Sequence, residues 1–150
     1  MAGPNLKQQL RGFIRYKHDQ GILDHHFEDV RRLQGPENPR LVSEMITTFI
    51  NDADVAMATV TRLLMSNNEV LNFDNLFSVV HPMKGSSASI GGRRVALVCQ
   101  GLCLACNERN KERFLEIFER LKPEYQSLRE SLDYIRQLED SMYEARRHLP

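Results

Sequence analysis

The chain has 150 residues, 41% of them hydrophobic, which is enough for one core and one domain. Its 20 basic and 20 acidic residues cancel, which argues against a nucleic-acid or acidic-membrane surface as the main partner. No run approaches the ~18 apolar residues of a membrane span, and the opening Met1-Ala2-Gly3-Pro4-Asn5-Leu6 lacks a signal-peptide core, so a soluble intracellular protein is expected.

No stretch alternates with a two-residue period, so the reading is all-α. Residues 5–19, with Leu6, Leu10, Phe13 and Ile14 and a stop at Gly21, predict a first helix. Asp24 caps a short second helix carrying Phe27, Val30 and Leu33, which ends near Gly35-Pro36. Asn38 as cap and Pro39 as first helical residue predict the start of a third. Its apolar face runs from Val42 to Leu64, and Ser66-Asn67-Asn68 ends it. A fourth helix starts around Asn72 to Asp74 and stops at Gly91-Gly92. A fifth spans Arg93 to Cys106, with Val95, Val98, Cys99, Leu102 and Cys106 inward and a turn at Asn107-Glu108-Arg109-Asn110.

The last helix carries Phe114, Phe118, Leu121, Tyr125, Leu128, Leu132, Ile135, Leu138 and Met142, close to a heptad seam. Packing on the N-terminal helices is the expected use of that seam, and a coiled-coil dimer is the alternative. Pro123 predicts a bend, and the charged C-terminal part is expected to project past the bundle. Four long helices and two short ones with brief connections predict a four-helix bundle with short N-terminal helices packed on it. The single domain divides into N-terminal helices at about 5–35 and a bundle at about 38–147.

The chemistry concentrates in the fourth helix. Phe73, Leu76, Val80, Met83, Ser87 and Ile90 recur at steps of three and four and predict one buried stripe. At ~100° per residue, His81 points well away from it. Lys84, Gly85 and Ala88 share the strip with His81. The result is a lone imidazole on an exposed face, one cation beside it, and a bare patch of small residues. A neutral imidazole nitrogen is a good nucleophile near pH 7. Lys84 can neutralise phosphoryl oxygens during transfer. Glycine lets a partner's backbone come close. The chain shows no second catalytic group beside His81, so a partner must supply the rest. The bland alternatives are an ordinary surface histidine, a solvated lysine, and a glycine notch for helix packing. Exposure separates the two readings of Gly85.

His81-Pro82-Met83-Lys84-Gly85-Ser86-Ser87 resembles the His-x-x-Lys-Gly-Ser-Ser signature of histidine-containing phosphotransfer (HPt) domains. The following Ala88-Ser89-Ile90-Gly91-Gly92-Arg93-Arg94-Val95 looks like the plant branch, the mediators of cytokinin-type phosphorelays. Likeness extends to Gly21-Ile22-Leu23-Asp24, Asn38-Pro39, Phe49-Ile50-Asn51-Asp52-Ala53, Asn72-Phe73-Asp74, Glu124-Tyr125 and Leu128-Arg129. The resemblance implies a phosphorelay carrier, not an enzyme in its own right. His81 would take a phosphoryl group from a receiver aspartate of a hybrid histidine kinase and pass it to a response regulator. It implies no cofactor, with magnesium belonging to the partner receiver. It also adds the nucleus to the expected cytoplasmic location, and a monomer is expected. Receiver docking is expected on Ser78, Pro82, Gly85, Ala88 and Ser89, with Asn75 at the edge. Arg93 and Arg94 either steer an acidic receiver or are merely solvated.

Pro82 departs from the family, whose plant members usually carry Gln directly after the histidine. Proline has no N–H and its ring crowds the carbonyl four residues back, here Ser78, at a cost of ~3 kcal/mol in a helix interior. A kink or local unwinding is expected over 78–81. The alternative function is therefore a non-transferring module that competes for receivers. Some plant relatives have lost the histidine and act as inhibitors, but this chain keeps His81 and Lys84.

Cys99, Cys103 and Cys106 follow C-x3-C-x2-C, which is either a metal or iron–sulfur site or a small apolar residue repeated on one helical face. The helical pattern favours the second. His25 and His26 are adjacent, lack the i,i+4 spacing of a helical chelating pair, and read as one surface and one half-buried residue. His18 lies on a polar turn and His148 in the tail. Glu-x-x-His pairs of the kind that hold metals inside bundles are absent.

Overall fold

Apolar steps of three and four become helix wherever they occur. The computed structural model describes residues 2–66 and 70–148. Its helices are α1 (Ala2–Asp19), α2 (His25–Arg32), α3 (Leu41–Leu64), α4 (Phe73–Ser89), α5 (Arg93–Glu108) and α6 (Lys111–Arg147). Among the described residues there is no strand, and no described helix is long and apolar enough to cross a membrane. Helices α3, α4, α5 and α6 close a ring in which each touches the next, and α6 returns to α3. Short connections between consecutive helices make this an antiparallel four-helix bundle. Helix α1 packs on α6, while α2 bridges α3 and α4.

Side-chain caps set three helix starts. Asp24 accepts the His26 N–H at 3.0 Å, Asn72 that of Asn75 at 3.0 Å, and Asn110 that of Arg113 at 3.1 Å. Each cap contributes about 1 kcal/mol. The third helix does not start as the sequence suggests. It begins at Leu41, after Pro39 and Arg40. Asn38 instead holds the preceding turn, accepting the Gly35 N–H at 2.7 Å and donating its amide to the Leu33 carbonyl at 3.0 Å. Gln34 serves α3 from outside: its side-chain carbonyl accepts the Val42 N–H at 2.9 Å. Helix α3 ends at Leu64; Asn67 and Asn68, expected to end it, lie outside the described residues. Helix α5 runs two residues further than expected, to Glu108. Arg109 then reverses the chain with φ 53°, its N–H reaching the carbonyls of Ala105 and Cys106.

Neither internal proline breaks its helix. Helix α4 continues through Pro82 and α6 through Pro123, so the unwinding expected over 78–81 does not occur. Tertiary packing accounts for α4. Val80 and Met83, on either side of the proline, are both buried, and they hold the turn against the core. The heptad-like residues of α6 from Phe114 to Leu138 are buried inside this chain, and Met142 packs on the core edge, so the seam is spent here. The C-terminal part of α6 does not project free as expected. Glu139 accepts from the Gln34 amide, Asp140 from the Ser43 hydroxyl at 2.7 Å, and the Arg40 guanidinium lies over the Tyr143 ring.

Two further contacts fix the bundle. Asp54 of α3 receives a two-pronged ion pair from Arg129 of α6, at 3.0 and 2.8 Å, and the Tyr125 hydroxyl at 2.6 Å. Burial and the neighbouring carboxylate raise the Tyr125 hydroxyl's pKa. At the α4–α5 turn Gly91 has φ +85°, and an added Cβ would sit 2.6 Å from the Phe27 nitrogen. Gly92 is equally tight, with Leu128 of α6 2.6 Å from where its Cβ would be.

Gly91→Ala combines left-handed strain with a clash against backbone. It is expected to cost about 1–3 kcal/mol in urea unfolding. The Arg129 hydrogen bonds hold the Asp54 carboxyl below its ordinary pKa. Its contribution is therefore complete above the unfolded value of about 3.9 and is lost as pH falls through the folded value. Asp54→Asn is expected to lose about 1 kcal/mol at pH 7. Its urea midpoint should then fall less than that of the wild type between pH 5 and pH 2.

Candidate functional site

The predicted stripe of α4 is buried as a unit: Phe73, Leu76, Val80, Met83, Ser87 and Ile90 all face the core. This fixes the rotation of α4 and turns His81 outward, where it is exposed. The imidazole is not isolated. It stacks on the half-buried Phe77 one turn earlier, with ring centroids 5.0 Å apart and planes 14° from parallel. The stack limits the ring's orientations while the residue as a whole stays exposed. Phe77 escaped the sequence reading, although its i,i+4 spacing to His81 was a usable signal.

The residues expected beside His81 divide between two flanks. Lys84 is half-buried and leans toward α5. Its ammonium lies close enough to Cys103 to oppose, in part, the upward pull of burial on that thiol's pKa. On this flank lies an open cavity of about 370 Å³, with Lys84, Gly85 and Ala88 on one wall and Arg93 and Leu97 of α5 on the other. Asp24 and His26 of α2 complete it. Their presence depends on a long-range contact, the Asp24 N–H donating to the Gly91 carbonyl at 2.9 Å, which no local pattern reveals. On the other flank Pro82 lines a depression of about 300 Å³ against α3, with Val55, Ala56 and Val79. Val55 and Leu97 are 66% and 55% exposed, so an apolar side chain stands on each side of the His81 strip.

Gly85, Ser78, Ala88 and Ser89 are exposed as expected, and so is Asn75. Ser78 turns its hydroxyl back onto the Asn75 carbonyl at 2.7 Å. Nothing lies within 4 Å of a Cβ added to Gly85, so it is no packing notch. The two arginines differ. Arg94 is engaged with Glu124 of α6 at 2.6 Å, while Arg93 lines the cavity beside Lys84.

Cys99, Cys103 and Cys106 are buried on the core face of α5. Burial pushes the Cys99 thiol up to about 12 and that of Cys106 up to about 11. Among the described residues the three thiols do not form a group of ligand atoms close enough to share an ion, and they act as small apolar residues of the core. His25 and His26 depart from expectation: both are exposed, and their rings lie 4.1 Å apart. Adjacent positions diverge along a helix, but at its first turn the flexible side chains can fold together.

Comparison with known proteins places this geometry. The Hpt domain model matches residues 44–146. The chain belongs to the Hpt family. Histidine-containing phosphotransfer protein 5 of Arabidopsis thaliana is 30% identical over 145 residues, covering 97% of this chain and 92% of that protein. A rice structure titled a putative histidine-containing phosphotransfer protein superposes with a TM-score of 0.86 at 30% identity, covering 95% of this chain and 99% of the other. A rice relative named pseudo histidine-containing phosphotransfer protein 2 is 29% identical over 138 residues, 92% of this chain and 90% of its own length. The Hpt bundle here is thus the fold of its plant relatives, and α4 carries its most distinctive surface.

Gly85→Ala separates an open glycine from a packing one. With free space for the methyl group and a helical backbone, it is expected to raise stability by about 0.5–1 kcal/mol. A fall in the urea midpoint would show that Gly85 is covered.

Proposed function

We propose that the chain carries phosphoryl groups between receiver domains on His81. An imidazole nitrogen attacks the phosphorus of a receiver's aspartyl phosphate. The N–P bond forms as the O–P bond to the aspartate breaks, and the carboxylate leaves with the bonding electrons. Reversal onto a second receiver's aspartate restores the free imidazole. Lys84 balances charge on the phosphoryl oxygens in transit. Gly85, Ala88 and Ser89 admit the partner, and Ser78 and Pro82 form the rest of the contact. The observation that carries this reading is a solvent-open histidine, oriented by Phe77, beside a lysine and a glycine with free space around it, in a member of the Hpt family.

The partners in this reading are receivers of hybrid sensor histidine kinases and response regulators of a cytokinin-type relay. The carrier works as a monomer, consistent with the α6 seam being used internally, and moves between cytoplasm and nucleus. It needs no cofactor of its own, and it turns over no substrate alone. A second reading is favoured by Pro82 and by the likeness to a pseudo relative: the chain binds receivers without accepting phosphate and competes with active carriers.

Mixing the chain with a ³²P-labelled phosphoreceiver tests both. Acid-labile, alkali-stable label is expected on the wild type and none on His81→Gln. Lys84→Ala is expected to slow uptake about 10- to 100-fold. Label on His81→Gln would overturn the assignment of His81. No label on the wild type, with receiver binding intact, would establish the competitor reading.

A further inference from the structure

We propose that Asp24, His25 and His26 form a binding site for a divalent transition-metal ion of borderline softness, with zinc as its probe. One ligand atom from each residue lies within 4.8 Å of the others. Asp24 Oδ1 and His26 Nδ1 are 3.1 Å apart, and the two imidazole rings are 4.1 Å apart. An ion with tetrahedral bonds of 2.0–2.1 Å has ligand-to-ligand edges of about 3.3 Å. The three groups therefore stand close to the required spacing, and an ion would replace the hydrogen bond between the Asp24 carboxylate and the His26 ring.

The chemistry of the set selects the ion. Two imidazoles and one carboxylate suit zinc, nickel or copper(II), whereas magnesium and calcium want oxygen ligands. Three protein ligands leave one tetrahedral position for water. Both histidines are exposed, so their nitrogens are accessible without opening the core.

The backbone under the site is already ordered. Asp24 is held by its N–H to the Gly91 carbonyl and by its side chain on the His26 N–H, and Phe27 anchors the turn in the core. Two terms oppose a cation here, the positive end of α2 and the charge of Arg93 across the same cavity. The Asp24 carboxylate offsets them, which makes the site a modest one. Its position is distinctive: Asp24 and His26 line the cavity that holds Lys84 and Gly85. An ion bound there sits on the rim of the face assigned above to receivers.

Calorimetric titration of the tag-free full chain with zinc chloride tests the site, with imidazole NMR resonances followed in parallel. One equivalent per chain is expected, with the resonances of His25 and His26 moving together. His25→Ala and His26→Ala are each expected to weaken zinc binding at least about tenfold, while His18→Ala and His148→Ala titrate like the wild type. Circular dichroism of each variant shows that the helices persist, which the exposure of all four side chains predicts. No uptake by the wild type, or undiminished affinity in both His25→Ala and His26→Ala, would overturn the proposal. The readout is metal binding alone, so either result leaves the phosphotransfer reading to its own assay.

Discussion

The rotation of α4 about its own axis is the constraint on which the rest turns. Six side chains, from Phe73 to Ile90, are buried on one stripe, and each large one contributes about 1.5–3 kcal/mol relative to exposure. A rotation of one residue step would put His81 toward a neighbouring helix and bring Val80 or Met83 into water. The functional face is therefore a by-product of core burial. What lies opposite the stripe is displayed, and what lies at its borders is half-covered. Lys84 and Phe77 occupy such a border, which is why both are half-buried while Gly85 and Ser78 are exposed.

The charges of the chain are laid out with the same economy. Much of the polar bonding between helices runs through α6, away from the His81 face: Asp54 with Arg129 and Tyr125, Ser43 with Asp140, Gln34 with Glu139, and Arg94 with Glu124. These pairs join elements distant in sequence and fix which side of α6 meets α3. A small cationic group, Lys84 and Arg93, stands at one edge of the displayed strip.

Most of this was legible in the sequence where the signal is local and periodic. The α4 stripe, the seam of α6 and the cap at Asp24 need only spacing and side-chain chemistry. The failures lie where distant groups compete for the same backbone. Asn38 has the right side chain for a cap, but its oxygen is taken by Gly35, and Gln34 reaches in to cap α3 instead. Arg109 adopts a left-handed conformation that its residue type does not announce. Pro82 signals a kink or an unwinding, and of the two the unwinding does not occur, because the turn is packed on the core. The α5 flank of the site was the least readable part, because α2 arrives there through the turn at Gly91, some 60 residues away in the chain.

That arrival has a consequence for the hierarchy of stability. The face bearing His81 belongs to α4 and α5, a hairpin of near neighbours with the most extensive contact in the molecule. The far wall of its cavity belongs to α2, an eight-residue helix held by Phe27, Val30 and one backbone hydrogen bond to Gly91. Segments with few buried anchors open at a smaller free energy than the whole fold. Excursions of α2 would therefore widen the mouth beside Lys84 while the imidazole keeps its place on α4. Reactivity and access would then reside in units of different strength, which amide exchange would see as two separate rates.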